Sequence, residues 1–407
     1  MLRTYRADDL PQVHRLWKEA GWLDKGADDA VVRSFLEGCP GVVGEVHGTV
    51  EAHACRRAGV VRYERDVDLP VCNVASVVVG RVARGQGLGG MSTAALVAAG
   101  AAQGAALSTL GVFDQGFYDK VGFGTGPEVR YVTVDPATLR VPLLTRAPVR
   151  LGLEDGPRMH QNRLSRRRRH GMFNFPDPGA TIAEMRLADD GFGIGFEDAN
   201  GKLTHHFFCE AKGEHGPYTV QWFVHDTIDQ LLELLAVIAS WRDQVHGVRM
   251  PAPVGLVLND VIDAPFRHWR VTEGGAFDRK PQSYAWWQAR MCDVPACMAA
   301  ARIDGPAIRF QLSLADPIAP YLPDDAPWRG VQGDYVVTLG PASRAERGRD
   351  ASLPMLRASV GAFTRVWIGT APASTVAAGD ALDGDRDLLD ELDHRWRVPV
   401  PHIDWDM

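Results

Sequence analysis

The stretch Val77–Gly124 constrains this chain more than any other. It passes from an apolar segment, Val77-Val78-Val79, through Arg84-Gly85-Gln86-Gly87-Leu88-Gly89-Gly90 into a run of Met, Ser, Thr, Ala and Gly. Glycines clustered between a strand-like and a helix-like segment mark a turn whose backbone approaches something closely. Glycine alone takes positive φ without steric cost, and such a turn exposes consecutive amide N–H groups. At a helix start these groups have no intrahelical partner, and the helix dipole favours negative charge, so the turn suits an anion. Arg84 adds a charge that fits a phosphate. The spacing is RxxGxG, which is neither the GxGxxG of dinucleotide folds nor a phosphate loop ending in Lys-Ser/Thr.

The flanking sequence places the turn within a mixed α/β layer. Leu2–Tyr5 reads as extended, and Asp8 or Asp9 caps a periodic segment with Leu10, Val13, Leu16 and Trp17 on one face. Val42–Val46 and Val50–Arg56, split by His47-Gly48, have a hairpin pattern, and Val71–Val79 is apolar enough for a central strand. A helix is expected over Met91–Gln103, a strand over Leu107–Phe113, a short helix over Gly116–Lys120 and a strand over Tyr131–Val134. Pro136, Pro142 and Pro148 mark the exit from this layer.

A second α/β pattern runs to about Cys297. It holds a hairpin at Asn200-Gly201, with positive φ expected at both residues, and a helix capped by Asp226 or Thr227 with one apolar face. The last hundred residues begin with strands over Ala307–Leu314 and Tyr335–Leu339. Helices follow around Leu353–Phe363 and Asp385–Trp396.

A length of 407 residues suits two or three domains. The N-terminus has no secretory pattern, and Ala94–Ala106 is too short and glycine-broken to span a bilayer, so a cytoplasmic protein without membrane partners is expected. The six cysteines show neither disulfide nor zinc spacing and are expected as free thiols. A net charge of −7 argues against nucleic acid and for cationic or neutral partners.

Thirty residues after the glycine turn comes Phe117-Tyr118-Asp119-Lys120-Val121-Gly122-Phe123. The two motifs, in this order and at this distance, resemble the pyrophosphate loop [RQ]xxGx[GA] and the FYxxxGF fingerprint of GCN5-related N-acetyltransferases (GNATs). That resemblance implies that Val77–Val79 align a pantetheine arm through their backbone. It also implies that Arg84, Gly85, Gln86, Gly87, Leu88, Gly89 and Gly90 hold a pyrophosphate, and that Tyr118 serves the leaving thiolate. The cofactor implied is acetyl-CoA or another acyl-CoA. A phenol near pKa 10 giving its proton to a thiolate near 8.5 is uphill by about 2 kcal/mol, so Tyr118 acts chiefly as a hydrogen-bond donor unless its pKa is lowered.

Over its whole length the chain is similar to the Eis-type (enhanced intracellular survival) acetyltransferases. This implies an α/β fold of two tandem GNAT-like domains and a sterol-carrier-protein-like α/β domain. The expected boundaries are 1–145 for the catalytic domain, 146–297 for a second GNAT-like domain without a cofactor site, and 298–407 for the third. In that family the C-terminal carboxylate acts as general base, and here it belongs to Met407. Asp406 keeps the family's acidic residue, while Met407 replaces the family's aromatic. Asp24 and Trp22, in a loop that faces the acceptor in this family, together with Asp404 and Asp406, are the candidate substrate-binding residues. The resemblance also implies a homo-oligomer, a hexamer.

The expected activity is acyl transfer to a primary amine of a small molecule, such as an aminoglycoside, a polyamine or a lysine-like compound. Attack is direct, through a tetrahedral intermediate. The alternative is a CoA- or lipid-binding protein with little transferase activity. Arg166–Arg169 reads as a solvated helix face or an intersubunit contact, and His205 and His206 point to opposite faces of a strand rather than to one metal.

Overall fold

The computed structural model describes residues 2–23, 29–64, 66–264, 270–275, 277–278 and 281–406. The strands β1 (Leu2–Thr4), β2 (Gly41–Val46), β3 (Thr49–Tyr63), β4 (Val67–Val79), β5 (Leu107–Gly111) and β6 (Gly124–Thr125) belong to one sheet. β7 (Val129–Val134) and β8 (Val149–Leu151) belong to a second sheet, and β9 (Phe173–Asn174) pairs with β3 of the first. The second sheet continues with β10 (Gly191–Glu197), β11 (Leu203–Glu210), β12 (Tyr218–Val224), β13 (Val248–Pro251) and β14 (Gln282–Tyr284). β15 (Trp287–Met291) returns to the first sheet. A third sheet holds β16 (Ile308–Ala315), β17 (Gly333–Leu339), β18 (Arg344–Arg347), β19 (Met355–Ser359) and β20 (Leu382–Gly384).

These sheets fall into two compact units, one of residues 1–127, 168–177 and 285–407, the other of residues 128–167 and 178–284. By contacts the first unit gives way at 127 and resumes at 285, in each case ahead of the domain bounds expected at 145 and 297. The reason is strand pairing. β7 hydrogen-bonds to β13 and β14, whereas β15 inserts between β5 and β6. Prolines at 136–148 report where the chain turns, not which strand a neighbour pairs with.

In the first unit the sheet order is β1-β2-β3-β4-β5-β15-β6. Helices α1 (Leu10–Ala20) and α2 (Ala30–Leu36) bury Val13, Leu16, Trp17 and Val32 against one face of it. Helix α3 (Leu88–Ala102) covers the other with small residues, among them Ala94, Val97 and Ala98. Odd-numbered residues of β3, from His53 to Gly59, face the α1 side; Ala54 faces α3. The segment 353–363, expected as one helix, divides into β19 and the helix Val360–Trp367, with Ser359 Oγ accepting the Ala362 N–H as its cap.

In the second unit the order is β14-β7-β13-β12-β11-β10-β8, with the helix Ile228–Ser240 packed on it through Leu231, Leu234, Leu235 and Ile238. The Asn200-Gly201 hairpin forms, but only Gly201 takes positive φ, at 75°. Asp198 instead caps the turn, accepting N–H bonds from Asn200 and Lys202 on its side chain.

Candidate functional site

The first element of the site is a gap between two parallel strands. β4 pairs with β5 only at Val71, Cys72 and Asn73, opposite Leu107, Ser108 and Thr109. Beyond Asn73, β4 continues for six residues to Val79 with β3 on one side and no β5 partner on the other. The strand also bulges there, because His53 pairs with Val78 and Cys55 with Ala75, leaving two residues opposite Ala54. Ser76 absorbs the extra residue with φ of +55°. Ser76, Val77 and Val79 are partly exposed, so backbone polar groups line an open slot.

The second element is the glycine turn that closes one end of this slot. Arg84, Gly85, Gln86 and Gly87 are all exposed. Gly85 and Gly87 take φ of +79° and +76°, and Gly87 is the N-cap of α3. No side chain caps this helix and no acidic residue sits in its first turn, so the N–H groups of Leu88, Gly89 and Gly90 remain as donors for a ligand. Gly89 joins the parts: a Cβ there would stand 3.0 Å from Phe117 Cζ and 3.6 Å from Val79 Cγ2. The helix start thus touches both the end of β4 and the aromatic fingerprint.

The third element is Tyr118, which precedes the short 3-10 turn Asp119–Val121. Its ring is 2% exposed and packed edge-on against Phe117, Phe113 and Phe123. Burial alone pushes its phenol well above the ordinary tyrosine range. Among the described residues none hydrogen-bonds to the hydroxyl. The condition for full proton transfer, a lowered pKa, is therefore not met, and the phenol is equipped to donate a hydrogen bond. Phe113, 74% exposed two residues past the end of β5, stands beside it.

On the α1 side of the bulge lies an aromatic face. Trp17 donates from Nε1 to Ser76 Oγ at 2.8 Å, and His53 Nδ1 lies 3.0 Å from the same oxygen. Trp22, 39% exposed, meets Trp17 edge-on with centroids 5.5 Å apart, which brings this expected residue next to the bulge. Phe35 packs on the Trp17 ring at 5.1 Å, and the buried Arg57 guanidinium lies 4.2 Å from the Phe35 centroid. Burial depresses His53 to about 4, so the ring is neutral at ordinary pH. Asp24 lies outside the described residues.

The C-terminal tail reaches the same sheet face through a crossing segment. β9 pairs with Val60 and Val61 of β3, and Phe175 lies over Gly59 on the α1 side, leaving no room for a side chain there. Trp405, 2% exposed, packs edge-on against Phe175 and donates from Nε1 to the Phe173 carbonyl at 2.9 Å. Asp404 Oδ1 accepts from the Phe173 N–H at 3.3 Å, and the His402 N–H bonds the His170 carbonyl at 2.9 Å. Asp406 is exposed. Met407 lies outside the described residues.

No family model matches the sequence, and no curated protein matches it significantly. Solved structures do match. A conserved protein from Enterococcus faecalis, a probable N-acyltransferase, is 16% identical with a TM-score of 0.79, over 100% of this chain and 99% of its own. A GCN5-related N-acetyltransferase from Anabaena variabilis is 13% identical with a TM-score of 0.78, over the whole of both chains. Eis1 from Mycobacterium abscessus is 12% identical with a TM-score of 0.77, again over the whole of both. The chain has the Eis-type acetyltransferase fold.

Within this Eis-type fold several polar residues at the site carry no sequence signal. Ser76 and His53 lie in apolar strand runs, and nothing local announces a bulge. The remaining sequence candidates resolve as structure. Arg166–Arg169 follows a helix that ends at Ser165, with Arg166 buried and Arg168 bonded to Asp68 at 2.5 Å. It is not a solvated helix face. His205 bonds Thr204 and Glu233, while His206 bonds Asn162 and Trp222 on the opposite face. Among the described residues no cluster could hold a metal and no helix is long and apolar enough to cross a membrane. All six cysteines are buried free thiols.

Proposed function

We propose that the protein transfers an acyl group from an acyl-CoA, acetyl-CoA in the first instance, to a primary amine of a small molecule. The observation that carries this is the junction at Gly89, where an uncapped helix start meets the end of an unpaired strand edge and Phe117, whose ring packs on the buried Tyr118. A pyrophosphate fits the amides of Gly85–Gly90 with Arg84 beside it. A pantetheine arm extends the sheet along Val77–Val79 as a strand would, hydrogen-bonding where β5 has parted from β4. The thioester then lies toward Tyr118.

The amine nitrogen attacks the thioester carbonyl carbon, and the tetrahedral intermediate collapses with cleavage of the C–S bond. The electron pair leaves on sulfur, where the Tyr118 hydroxyl donates a hydrogen bond. A phenol held above its ordinary pKa stabilises the thiolate without having to ionise. The amine proton passes to the Met407 carboxylate, directly or through water, once attack has made that N–H acidic. The tail's anchorage on the α1 face of β3 supports this assignment, because Trp17, Ser76 and Trp22 lie on that face. Asp24, Asp404 and Asp406 add negative charge that attracts a cationic acceptor.

The test is thiol release from acetyl-CoA in the presence of polyamines, aminoglycosides and lysine-containing peptides. Amine-dependent release is expected. CoA binding without release for every amine would overturn the assignment and favour a binding protein.

A further inference from the structure

The Tyr118 turn is gripped from behind by residues of neither motif. β15 presents two polar side chains to it. Gln288 donates from Nε2 to Asp119 Oδ1 at 2.9 Å and to Thr125 Oγ1 at 3.0 Å. Two residues on, Arg290 donates from Nη1 to the Val121 carbonyl and from Nη2 to Asp316 Oδ2 at 2.6 Å. Both members of this ion pair are 0% exposed. Desolvation cancels much of the attraction in such a pair, so its value lies in the geometry it imposes.

Asp316 is itself immobilised. It directly follows β16, and it accepts the Ile318 N–H on Oδ1 at 3.2 Å and the Val331 N–H on Oδ2 at 2.8 Å. The Trp328 ring centroid lies 5.2 Å from the Arg290 guanidinium carbon. From the turn's side, the Val121 N–H bonds the Tyr118 carbonyl at 3.0 Å and the Phe123 N–H bonds it at 3.2 Å. Gly122, at φ of +85°, sits so tightly that a Cβ would be 2.7 Å from both Arg290 Nη1 and Val360 Cγ1. The helix Val360–Trp367 starts directly against this backbone, since a Cβ on Gly361 would be 2.8 Å from the Phe123 carbonyl oxygen. A continuous chain of contacts thus runs from the third sheet, through Asp316 and Arg290, to the residue that carries the phenol.

We propose that Arg290 is a positioning residue whose planar fork, oriented by Asp316, sets the Tyr118 turn relative to the slot. The C-terminal third of the chain thereby controls where the phenol stands. The kinetic consequence rests on the role proposed above for Tyr118, but the positioning does not. A guanidinium suits the task because it holds two acceptors at a fixed angle, which a lysine ammonium does not.

The experiment uses full-length protein labelled with 3-fluorotyrosine, the Tyr118 line being identified by its loss in Tyr118→Phe. In Asp316→Asn this line is expected to shift and to titrate at lower pH, as water reaches a phenol that burial now holds up. CoA affinity by calorimetry should stay within twofold. In thiol release with an active amine, Asp316→Asn should lower kcat at least fivefold in the wild-type background and leave it unchanged in the Tyr118→Phe background. Should Asp316→Asn not fold, Arg290→Lys, which keeps the cation, carries the same test.

A Tyr118 line that neither moves nor changes its titration overturns the proposal. So does an equal kcat loss in both backgrounds, which would mark a general structural role. A shifted line combined with normal turnover by Tyr118→Phe would uphold the positioning and sink only the catalytic role of the phenol.

Discussion

Replacing Tyr118 with Phe should separate stability from turnover. The ring is 2% exposed and keeps its packing against Phe117, Phe113 and Phe123 when only the oxygen is removed. The hydroxyl has no hydrogen-bond partner among the described residues, so no buried donor or acceptor is orphaned by its loss. Stability should therefore stay within about 1 kcal/mol of the parent. In the proposed mechanism the same hydroxyl would face a sulfur gaining charge, and a hydrogen bond to a charged group contributes about 1.5–3 kcal/mol. Turnover should fall roughly 10- to 150-fold. Thermal melts, calorimetry with CoA and thiol-release kinetics on one preparation decide the matter, with CoA affinity expected to hold. A marked loss of stability would show that the hydroxyl has an internal partner, and a kcat change below threefold would refute its place beside the sulfur.

Four further outcomes follow from the site. Gly87→Ala puts an L-residue at φ of +76° with its nearest new contact, Met91 Cε, 3.8 Å away, so the cost is backbone strain of about 1–2 kcal/mol. CoA affinity by calorimetry should drop by a comparable amount, and unchanged affinity would place the phosphates elsewhere. His53 is depressed from 6.5 to about 4, so its contribution is intact above 6.5 and is lost as pH falls toward 4, up to roughly 3 kcal/mol. His53→Gln should flatten that acid limb in melts taken from pH 7 to 4, and an unaltered limb would assign it to other groups. Trp405→Ala removes a buried indole and its bond to Phe173, which should cost about 3–5 kcal/mol at the tail. CoA binding should survive while turnover fails, and normal turnover would detach the tail from the chemistry. Adding one residue after Met407 displaces the terminal carboxylate and should lower kcat more than tenfold, with CoA affinity unchanged; normal turnover by the extended chain would remove the carboxylate from the mechanism.

The glycine turn and the aromatic fingerprint are legible in the sequence and the side chains around Ser76 are not, for a physical reason. An anion-binding turn works through backbone amides, and the residues that free such amides here, Gly85 and Gly87, are separated in the chain by Gln86 alone. Recognition by backbone leaves a local trace. The aromatic face beside the bulge is instead built from side chains brought together by register: Trp17 from α1, His53 from β3 and Ser76 from the bulge. Each residue alone looks like core. Pairing partners are equally silent, which is why Tyr131–Val134 reads as a strand of the first layer and residues 287–291 fall within the second pattern, whereas β7 pairs in the second sheet and β15 in the first.

One miss had a visible remedy. Met355–Ser359 buries Leu356 and Ala358 with period two, and Ser359 is a good N-cap, so the segment divides into strand and helix on local grounds. The buried Arg290–Asp316 pair had none, because its members are 26 residues apart with no shared period. Yet it is one of the contacts through which the third sheet reaches the Tyr118 turn. A residue that caps a turn of only three residues, as Tyr118 does, cannot fix its own position, since so short a turn closes too few hydrogen bonds to resist thermal displacement. The rigidity must come from outside the motif, and here it comes from a carboxylate nearly 200 residues further along the chain.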